Sequence, residues 1–263
     1  MRIFTSYKGL LWKAAIAAFW LILWQGMAVF FAARYRTDIL FPGPLQTLES
    51  LRQLAGTGAF WLSIVHSLCK IAAGFVLAFA AGAGLAVLGR LCPPVSALFA
   101  PAVQIMKSVP VASFIVVALI WMHADNISIL VSFFVVFPVV YFNLSEGLRQ
   151  MDPTLLEMAR VFRMPLPKRL RALYIPQVMP YLISGCRVAV GMAWKAGVAG
   201  EIIGLPGLSI GEQLYLSKLY LATADLFAWT IVIICISLLC ERAVVRLLDR
   251  LRKRWEAAYG NPV

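Results

Sequence analysis

The chain has 263 residues, of which 62% are hydrophobic and only 14% are charged. Soluble domains carry about 25% charged residues, so this composition excludes a soluble globular domain as well as an intrinsically disordered chain. Five cysteines are too few for the disulfide framework of a small secreted domain. The class that remains is an integral membrane protein.

Apolar runs long enough to cross a bilayer recur along the chain. A helix of about 20 apolar residues spans the hydrocarbon core, and six such segments are found, although the fifth contains Arg187, Lys195 and Glu201. The predicted spans are residues 14–33, 71–89, 103–122, 127–144, 181–205 and 226–248. The sequence therefore predicts an all-α integral membrane protein with six transmembrane helices in a single domain, residues 1–263.

Basic residues are distributed unevenly between the predicted loops. The chain contains 24 lysines and arginines against 12 aspartates and glutamates, which gives a net charge of +12. With both termini in the cytoplasm, the six spans place 18 of these basic residues inside and 5 outside, and Lys195 within a span. Because cytoplasmic loops carry the excess of Lys and Arg, the distribution predicts an N-in, C-in topology. It also explains the basic charge without a nucleic acid partner.

The predicted external segment between the first two spans contains an amphipathic stretch, residues 45–62. This stretch follows Phe41-Pro42-Gly43-Pro44, whose two prolines are expected to hold the backbone extended before a helix begins. The sequence shows no internal repeat or linker that would indicate a second domain.

The longest predicted cytoplasmic connection, residues 146–180, carries the signals of two short helices. Asp152 followed by Pro153 is typical of a helix start, because an aspartate side chain caps backbone N–H groups and a proline is tolerated at the first helical position. Two further prolines, at positions 165 and 167, are predicted to end this helix. A second short basic helix is predicted for residues 168–173.

The first of these helices is predicted to be amphipathic. Leu155, Ala159 and Phe162 recur at helical spacing and form one apolar face. Such a face fits a groove on another protein, but a basic amphipathic segment is equally suited to the anionic surface of the inner leaflet. The residue pattern by itself leaves both alternatives open.

Residues of this loop and of the neighbouring spans carry a resemblance to a known family. In the loop they are Glu157, Met158, Ala159, Leu170, Tyr174, Ile175 and Pro176. They resemble the E-A-A-x(3)-G-x(9)-I-x-L-P loop of the permease subunits of binding-protein-dependent ABC importers. Outside the loop the matching residues are Phe41 to Pro44, Ser67, Lys70, Gly74, Phe75, Pro180 to Arg187, Gly191, Ala193, Trp194 and Glu201. These are similar to the nitrate, sulfonate and taurine permease branch, and the resemblance extends over residues 39–248.

Two loop residues depart from the family pattern, and Met158 in place of the first alanine is the milder change. Arg163 stands where the family has a glycine, which normally permits a backbone conformation with positive φ. Either the turn is made here without positive φ, helped by the following prolines, or it is remodelled. An arginine at this position is also long enough to reach an acidic residue of a partner protein.

The resemblance implies the type I ABC importer permease fold and a multi-pass location in the cytoplasmic membrane of a prokaryote. It also implies three kinds of partner: a second copy of the permease, two cytoplasmic ATP-binding subunits and an extracytoplasmic solute-binding protein. The expected function is the pore subunit of an ATP-driven importer for a small anionic or polar organic solute.

We refer to residues 146–180 as the coupling loop, because the resemblance implies that it contacts the ATPase. The residues expected to serve this contact are Asp152, Leu155, Glu157, Ala159, Phe162, Arg163 and Pro176. In this hypothesis Glu157 holds the loop helix or its connection, while the apolar face sits in a groove of the ATPase. The chain has no G-x-x-x-x-G-K-[ST] motif, so ATP and Mg are expected on the partner ATPase. No catalytic, cofactor-binding or metal site is predicted in this chain.

Two ridges at i, i+4 spacing run along the fifth predicted span. One consists of the small residues Gly185, Ala189, Ala193 and Gly197, and it is expected to let another helix, of this subunit or of a second copy, approach closely. The other contains Arg187, Gly191 and Lys195, and a charge at that depth is costly unless it is paired or faces water. Lys195 is therefore expected either to pair with a carboxylate of another helix or to attract an anionic solute.

The candidate translocation residues are Arg187, Lys195 and Glu201. Two other classes of function compete with the importer. An ion-coupled secondary carrier would require paired carboxylates deep in several spans, whereas Glu201 alone is placed deep by its position. A membrane-embedded enzyme would require clusters of His, Asp or Glu near one bilayer face, and the sequence offers none.

Overall fold

The computed structural model describes residues 2–35 and 40–259, with side chains described for residues 12–35 and 40–254. The described chain is helical and contains no strand. Its α-helices are α1 (Arg2–Tyr35), α2 (Pro44–Ala55), α3 (Gly58–Leu91), α4 (Pro93–Ser108), α5 (Val111–Trp121), α6 (Ile127–Arg149), α7 (Pro153–Val161), α8 (Leu166–Arg169), α9 (Ile175–Gly204), α10 (Ile210–Leu219) and α11 (Thr223–Tyr259). The predicted all-α class is confirmed. Arg36 and the side chains of Arg2 and Lys8, which contributed to the charge count, lie outside the described parts.

Three stretches of the described chain are long and apolar enough to cross a bilayer: Trp12–Tyr35, Gly58–Leu91 and Ala124–Arg149. The pair α4 and α5 would make a fourth if it were counted as one span. Helices α9 and α11 are also long enough, with 30 and 37 residues. The six spans and the N-in, C-in topology stay predictions.

The predicted third span, residues 103–122, is not a single helix. Helices α4 and α5 meet at an angle of 105°, with Val109 and Pro110 in extended conformations between them. The residue before a proline is driven out of the helical region by contact with the proline ring, which explains the break. Helix α5 alone has 11 residues, or about 16 Å of helix, roughly half the thickness of the hydrocarbon core.

The amphipathic stretch predicted for residues 45–62 is divided between two helices. Helix α2 starts at Pro44 and ends at Ala55, and α3 begins at Gly58. The new start is set by Thr57, whose side-chain oxygen accepts a hydrogen bond from the backbone N–H of Phe60. A cap of this kind satisfies one of the free N–H groups of the first turn. As a result α3 is much longer than the predicted span 71–89.

Helices α3, α6 and α9 form the centre of the molecule, and small residues let their backbones approach. A Cβ atom on Gly74 of α3 would collide with the carbonyl oxygen of Ile129 in α6. A Cβ atom on Gly197 of α9 would lie 2.6 Å from Cγ1 of Ile71 in α3. Close approach at small residues is the usual basis of helix association in membranes. The close packing of these three helices fixes which side of α9 is buried.

Helix α1 lies at the edge of this centre and is the least covered of the long helices. Its contacts include Trp24, which stacks on Phe227 and donates a hydrogen bond from Nε1 to the carbonyl oxygen of Pro42 at 3.0 Å. Phe31 also stacks on Phe41. Most other side chains of α1 are exposed, as expected of a helix that faces lipid.

Candidate functional sites

The coupling loop begins with the helix start that the sequence predicted. The side chain of Asp152 accepts a hydrogen bond from the backbone N–H of Thr154 at 2.8 Å, and α7 starts at Pro153. The backbone N–H of Asp152 donates to Oε1 of Gln177 in α9 at 2.9 Å. The loop helix is thereby tied to the first turn of α9.

Helix α7 ends in a Schellman motif with Arg163 at its left-handed position. The N–H of Met164 donates to the carbonyl of Ala159 at 2.9 Å, and the N–H of Arg163 donates to that of Arg160 at 3.0 Å. Arg163 has a φ of 47°, so the alternative of a turn without positive φ is wrong. The loop keeps the glycine-like conformation with an arginine, at a cost of roughly 1–2 kcal/mol.

The second short helix, predicted for residues 168–173, is not a separate element. Helix α8 continues through a π-helical turn, Leu170–Tyr174, directly into α9. In this turn the N–H of Ile175 donates to the carbonyl of Leu170. Pro176 follows immediately, and because it has no N–H and its ring crowds the preceding turn, it disturbs the regular α-helical ladder at this point. Helix α8 is therefore joined to α9 by continuous helical backbone.

The apolar side chains of α7 are divided between the inside and the outside of the subunit. Ala159 is only 2% exposed, and Leu155 is half-buried. Val161 and Phe162 are 78% and 73% exposed, and Met158 is also exposed. The surface available to a partner is therefore Met158, Val161 and Phe162, which we call the exposed loop surface, rather than the full predicted face.

Glu157 does not hold the loop within this subunit. Its side chain is exposed and forms no hydrogen bond or ion pair with any residue that the structure describes. Because it lies on α7 beside Met158, its carboxylate is available to a group outside the chain. The idea that Glu157 fixes the loop helix from within the subunit therefore has no supporting contact.

The two ridges of α9 have opposite surroundings. The ridge of small residues packs inside the subunit, because Ala189 and Ala193 are buried and a Cβ atom on Gly185 would lie 2.9 Å from Cβ of Asn143 in α6. Gly197 approaches α3 in the same way. The close approach that the spacing predicted is present, and the neighbouring helices belong to the same chain rather than to a second copy.

The ridge of Arg187, Gly191 and Lys195, which we call the open face of α9, is not covered. Both charged side chains are exposed, and a Cβ atom on Gly191 would meet no atom within 4 Å. Neither Arg187 nor Lys195 forms an ion pair or hydrogen bond with a residue in the described ranges. The expected carboxylate partner of Lys195 on another helix is not found there.

A cavity of about 300 Å³ borders the open face on the side of α4, α5 and α6. Its lining includes Val188 and Met192 of α9 together with Lys107 and Asn143. Lys107 also lies over the ring of Phe142, with its Nζ 5.7 Å from the ring centroid. A cation and an amide therefore accompany an otherwise apolar wall.

Glu201 is separated from the other two candidate translocation residues. Its side chain is 0% exposed, and six positions after Lys195 it points about 240° around the helix. Ser67 of α3 donates to Oε2 at 2.8 Å, and Ser128 of α6 donates to Oε1 at 3.0 Å. The backbone N–H of Gly211, in the first turn of α10, also donates to Oε2, at 3.1 Å. Glu201 thus joins four helices by hydrogen bonds and does not lie on the open face.

Sequence reasoning missed this network. Ser67 was among the residues of the family resemblance, but nothing in its spacing linked it to a carboxylate 134 positions away. Its hydroxyl also accepts a hydrogen bond from the backbone N–H of Ile210 at 2.9 Å. A single serine in an apolar helix carries no local signal of such a partner.

The family of this chain follows from its similarity to known proteins. The family model described as "Binding-protein-dependent transport system inner membrane component" matches residues 78–256. The chain belongs to this family. It is therefore an inner membrane component of the ABC importer type, and its apolar helices agree with a multi-pass membrane protein.

Individual relatives agree with this family and with the predicted branch. The permease protein SsuC of Bacillus subtilis, whose name assigns it to aliphatic sulfonates, is 26% identical over 96% of this chain and 88% of its own. The bicarbonate transport system permease protein CmpB of Synechococcus elongatus is 28% identical over 89% of this chain and 85% of its own. The resemblance to the nitrate, sulfonate and taurine branch is confirmed.

A solved structure shares the fold. The crystal structure of an amino acid ABC transporter with histidines matches with a TM-score of 0.52 at 18% identity, over 73% of this chain and 94% of that chain. At this identity the match concerns the fold alone. The permease fold expected from the sequence is in agreement with it.

Proposed function

We propose that this chain is the pore subunit of an ATP-driven importer that moves a small anionic solute into the cytoplasm of a prokaryote. An extracytoplasmic binding protein delivers the solute, two copies of the chain form the pore, and two ATPase subunits bind to the coupling loops. The observation that carries the proposal is the open face of α9, where two cations without a partner among the described residues lie on a helix that is otherwise largely buried.

A charged side chain at this depth requires water or a counter-ion, because transfer of an unpaired ammonium or guanidinium group into hydrocarbon is costly. Arg187 and Lys195 have no such partner among the described residues, which favours a surface that lines an aqueous path. A positive path attracts anions. The names of the two relatives, for aliphatic sulfonates and for bicarbonate, also denote anions, and this supports a small oxyanion as the solute class.

The coupling loop supplies a physical link between the ATPase and this path. The exposed loop surface is apolar, as expected for a helix that docks into a groove. Asp152 binds to Gln177 and α8 continues into α9, so displacement of the loop moves the helix that carries the open face. Rocking of rigid helices about a central site is the general basis of alternating access. This arrangement requires the loop, and with it both termini, to lie in the cytoplasm.

The competing ion-coupled carrier receives no support from the carboxylates. Glu201 is the only buried charged residue among those that the structure describes, and its oxygens are already occupied by three donors. A carrier would need a carboxylate that is free to take up and release a cation during each cycle.

The proposal is tested by reconstitution. The chain is purified through an affinity tag with the proteins that accompany it, and the complex is placed in proteoliposomes with its binding protein. Uptake of a labelled alkanesulfonate and of bicarbonate is then measured with ATP on the side of the coupling loop. We expect uptake that requires ATP and the binding protein. Uptake driven by a proton or sodium gradient without ATP would contradict the proposal.

A further inference from the structure

Another cavity, of about 340 Å³, lies between α9 and α11. Its lining residues are Arg187, Glu241, Arg242, Val245 and Arg246. Glu241 forms no ion pair with any of the three arginines, and none of the four charged side chains has a hydrogen-bond partner among the described residues. The cavity therefore has three guanidinium groups against one carboxylate, an excess of two positive charges.

Such a cluster is unfavourable when the cavity is empty. Arg242 and Arg246 lie one turn apart on the same side of α11, where like charges repel each other. Arginine cannot relieve this repulsion by losing its proton, because the guanidinium group stays charged in proteins. The guanidinium fork does match the oxygen spacing of phosphate and related anions, and several such groups around one cavity favour an anion strongly.

The basic side of α11 is distinct from its apolar side. Cys240, Ala243, Val244 and Leu247 line an apolar cavity of about 400 Å³ shared with α3 and α9, and at 100° per residue they face a different direction from Arg242 and Arg246. Arg242 and Arg246 are thus confined to one side of α11.

The third arginine of the cavity lies on α9. Arg187 lies 12 residues after the start of α9, or about 18 Å along it. Lys195 lies about 12 Å further along the same helix, away from the coupling loop.

We propose that this cavity is a binding site for an oxyanion of the phosphate type, held by Arg187, Arg242 and Arg246. Two sources offer this chemistry: the headgroup of an anionic phospholipid, and a dissolved anion such as inorganic phosphate. In either case the anion bridges α9 and α11 and lowers the repulsion between their arginines. The site shares Arg187 with the open face of α9, but Arg242 and Arg246 lie outside that face, so substitutions at these two positions test the site separately from the transported solute.

The phospholipid source is tested by native mass spectrometry of the purified complex in a mild detergent that contains equal amounts of phosphatidylglycerol and phosphatidylcholine. We expect the wild type to retain phosphatidylglycerol in preference by at least about 100-fold, since charge-assisted hydrogen bonds of this kind contribute roughly a factor of ten each. Arg242→Gln and Arg246→Gln should each lower this preference about tenfold. Arg250→Gln is the matched control, because it removes the same charge from α11 outside the cavity.

The dissolved source is tested on the delipidated complex by the rise in Tm that inorganic phosphate or sulfate produces. A rise in the wild type and in Arg250→Gln that is absent in Arg242→Gln supports the site with a dissolved anion as its ligand. Arg242→Lys keeps the charge and should give an intermediate result in either arm, which separates loss of binding from loss of folding. The proposal is overturned if neither ligand binds, or if Arg250→Gln loses as much binding as Arg242→Gln.

Discussion

Two charged residues of α9, Lys195 and Glu201, lie six positions apart and have opposite surroundings. Glu201 is buried and accepts hydrogen bonds from two serines and a backbone N–H. Lys195 is exposed and has no partner among the described residues. The difference separates two reasons for a charge in an apolar helix: Glu201 holds helices together, whereas Lys195 contributes little to the fold and is available to a solute.

The largest loss of stability is expected when the hydrogen bonds of Glu201 are removed. Glu201→Ala leaves the hydroxyls of Ser67 and Ser128 and the N–H of Gly211 without an acceptor, and each buried group without a partner costs about 1–3 kcal/mol. We expect a loss of about 3 kcal/mol, measured as a fall in Tm of the purified protein in detergent. The control is Glu49→Ala on the exposed side of α2, which should change stability by less than about 0.5 kcal/mol. Equal effects of the two variants would refute the structural role of Glu201.

The two sides of α9 should differ in their tolerance of a large side chain. Gly197→Leu places atoms against Ile71 and Ser132, whose nearest atoms are 2.6 and 2.8 Å from the new Cβ, and overpacking of this kind costs about 1–3 kcal/mol. Gly191→Leu meets no atom within 4 Å. It should leave Tm nearly unchanged or raise it slightly, because leucine favours a helix over glycine by up to about 1 kcal/mol. A similar fall in Tm for both variants would mean that the open face is covered.

Helix α7 repeats the contrast between a covered and an uncovered side. Phe162 is 73% exposed, and under the proposed function it docks into the ATPase. Phe162→Asp should weaken binding of the ATPase subunit by about 2 kcal/mol, or about 30-fold in Kd, as for an aromatic anchor at an interface. Tyr220→Asp, at an equally exposed aromatic after α10, is the control and should leave this Kd unchanged. Unchanged affinity of the Phe162 variant would remove the exposed loop surface from the contact.

The smallest expected effect concerns the end of α7. Arg163→Gly relieves the left-handed strain of roughly 1–2 kcal/mol but increases the freedom of the unfolded chain by about 0.5–1 kcal/mol. The net result should be a gain of up to about 1.5 kcal/mol in stability, seen as a rise in Tm. Arg160→Gly is the matched control within the helix and should lower stability by about 1 kcal/mol. A loss of stability for both variants would show that the side chain of Arg163 makes up for its backbone strain.

Local signals allowed the sequence to predict part of this structure. Asp152 and Pro153 are adjacent, and their capping chemistry acts within one turn, so the start of α7 was predicted correctly. The break between α4 and α5 was missed because the apolar character of residues 103–122 continues across Val109 and Pro110. Hydrophobicity predicts burial in lipid, but it does not predict the direction of a helix on either side of a proline.

Other features depend on contacts that no local pattern reveals. Glu201 finds its partners 134 and 73 positions away, and only the packing of α3, α6 and α9 brings them together. The positive φ of Arg163 follows from a balance between backbone strain and the hydrogen bonds of the helix end. The sequence predicted the ridge of small residues, but not that α3 and α6 would cover it.

The central claim is that the open face of α9 borders water rather than lipid. It is tested most directly by replacing Lys195 with cysteine in a variant without the five native cysteines and measuring its reaction with a charged, membrane-impermeant thiosulfonate. Leu77→Cys, on the exposed side of α3, is the control. Because the reactive form of a thiol is the thiolate, which hydrocarbon disfavours, we predict that position 195 reacts at least about tenfold faster than position 77. Equally slow reaction at both positions would contradict the account.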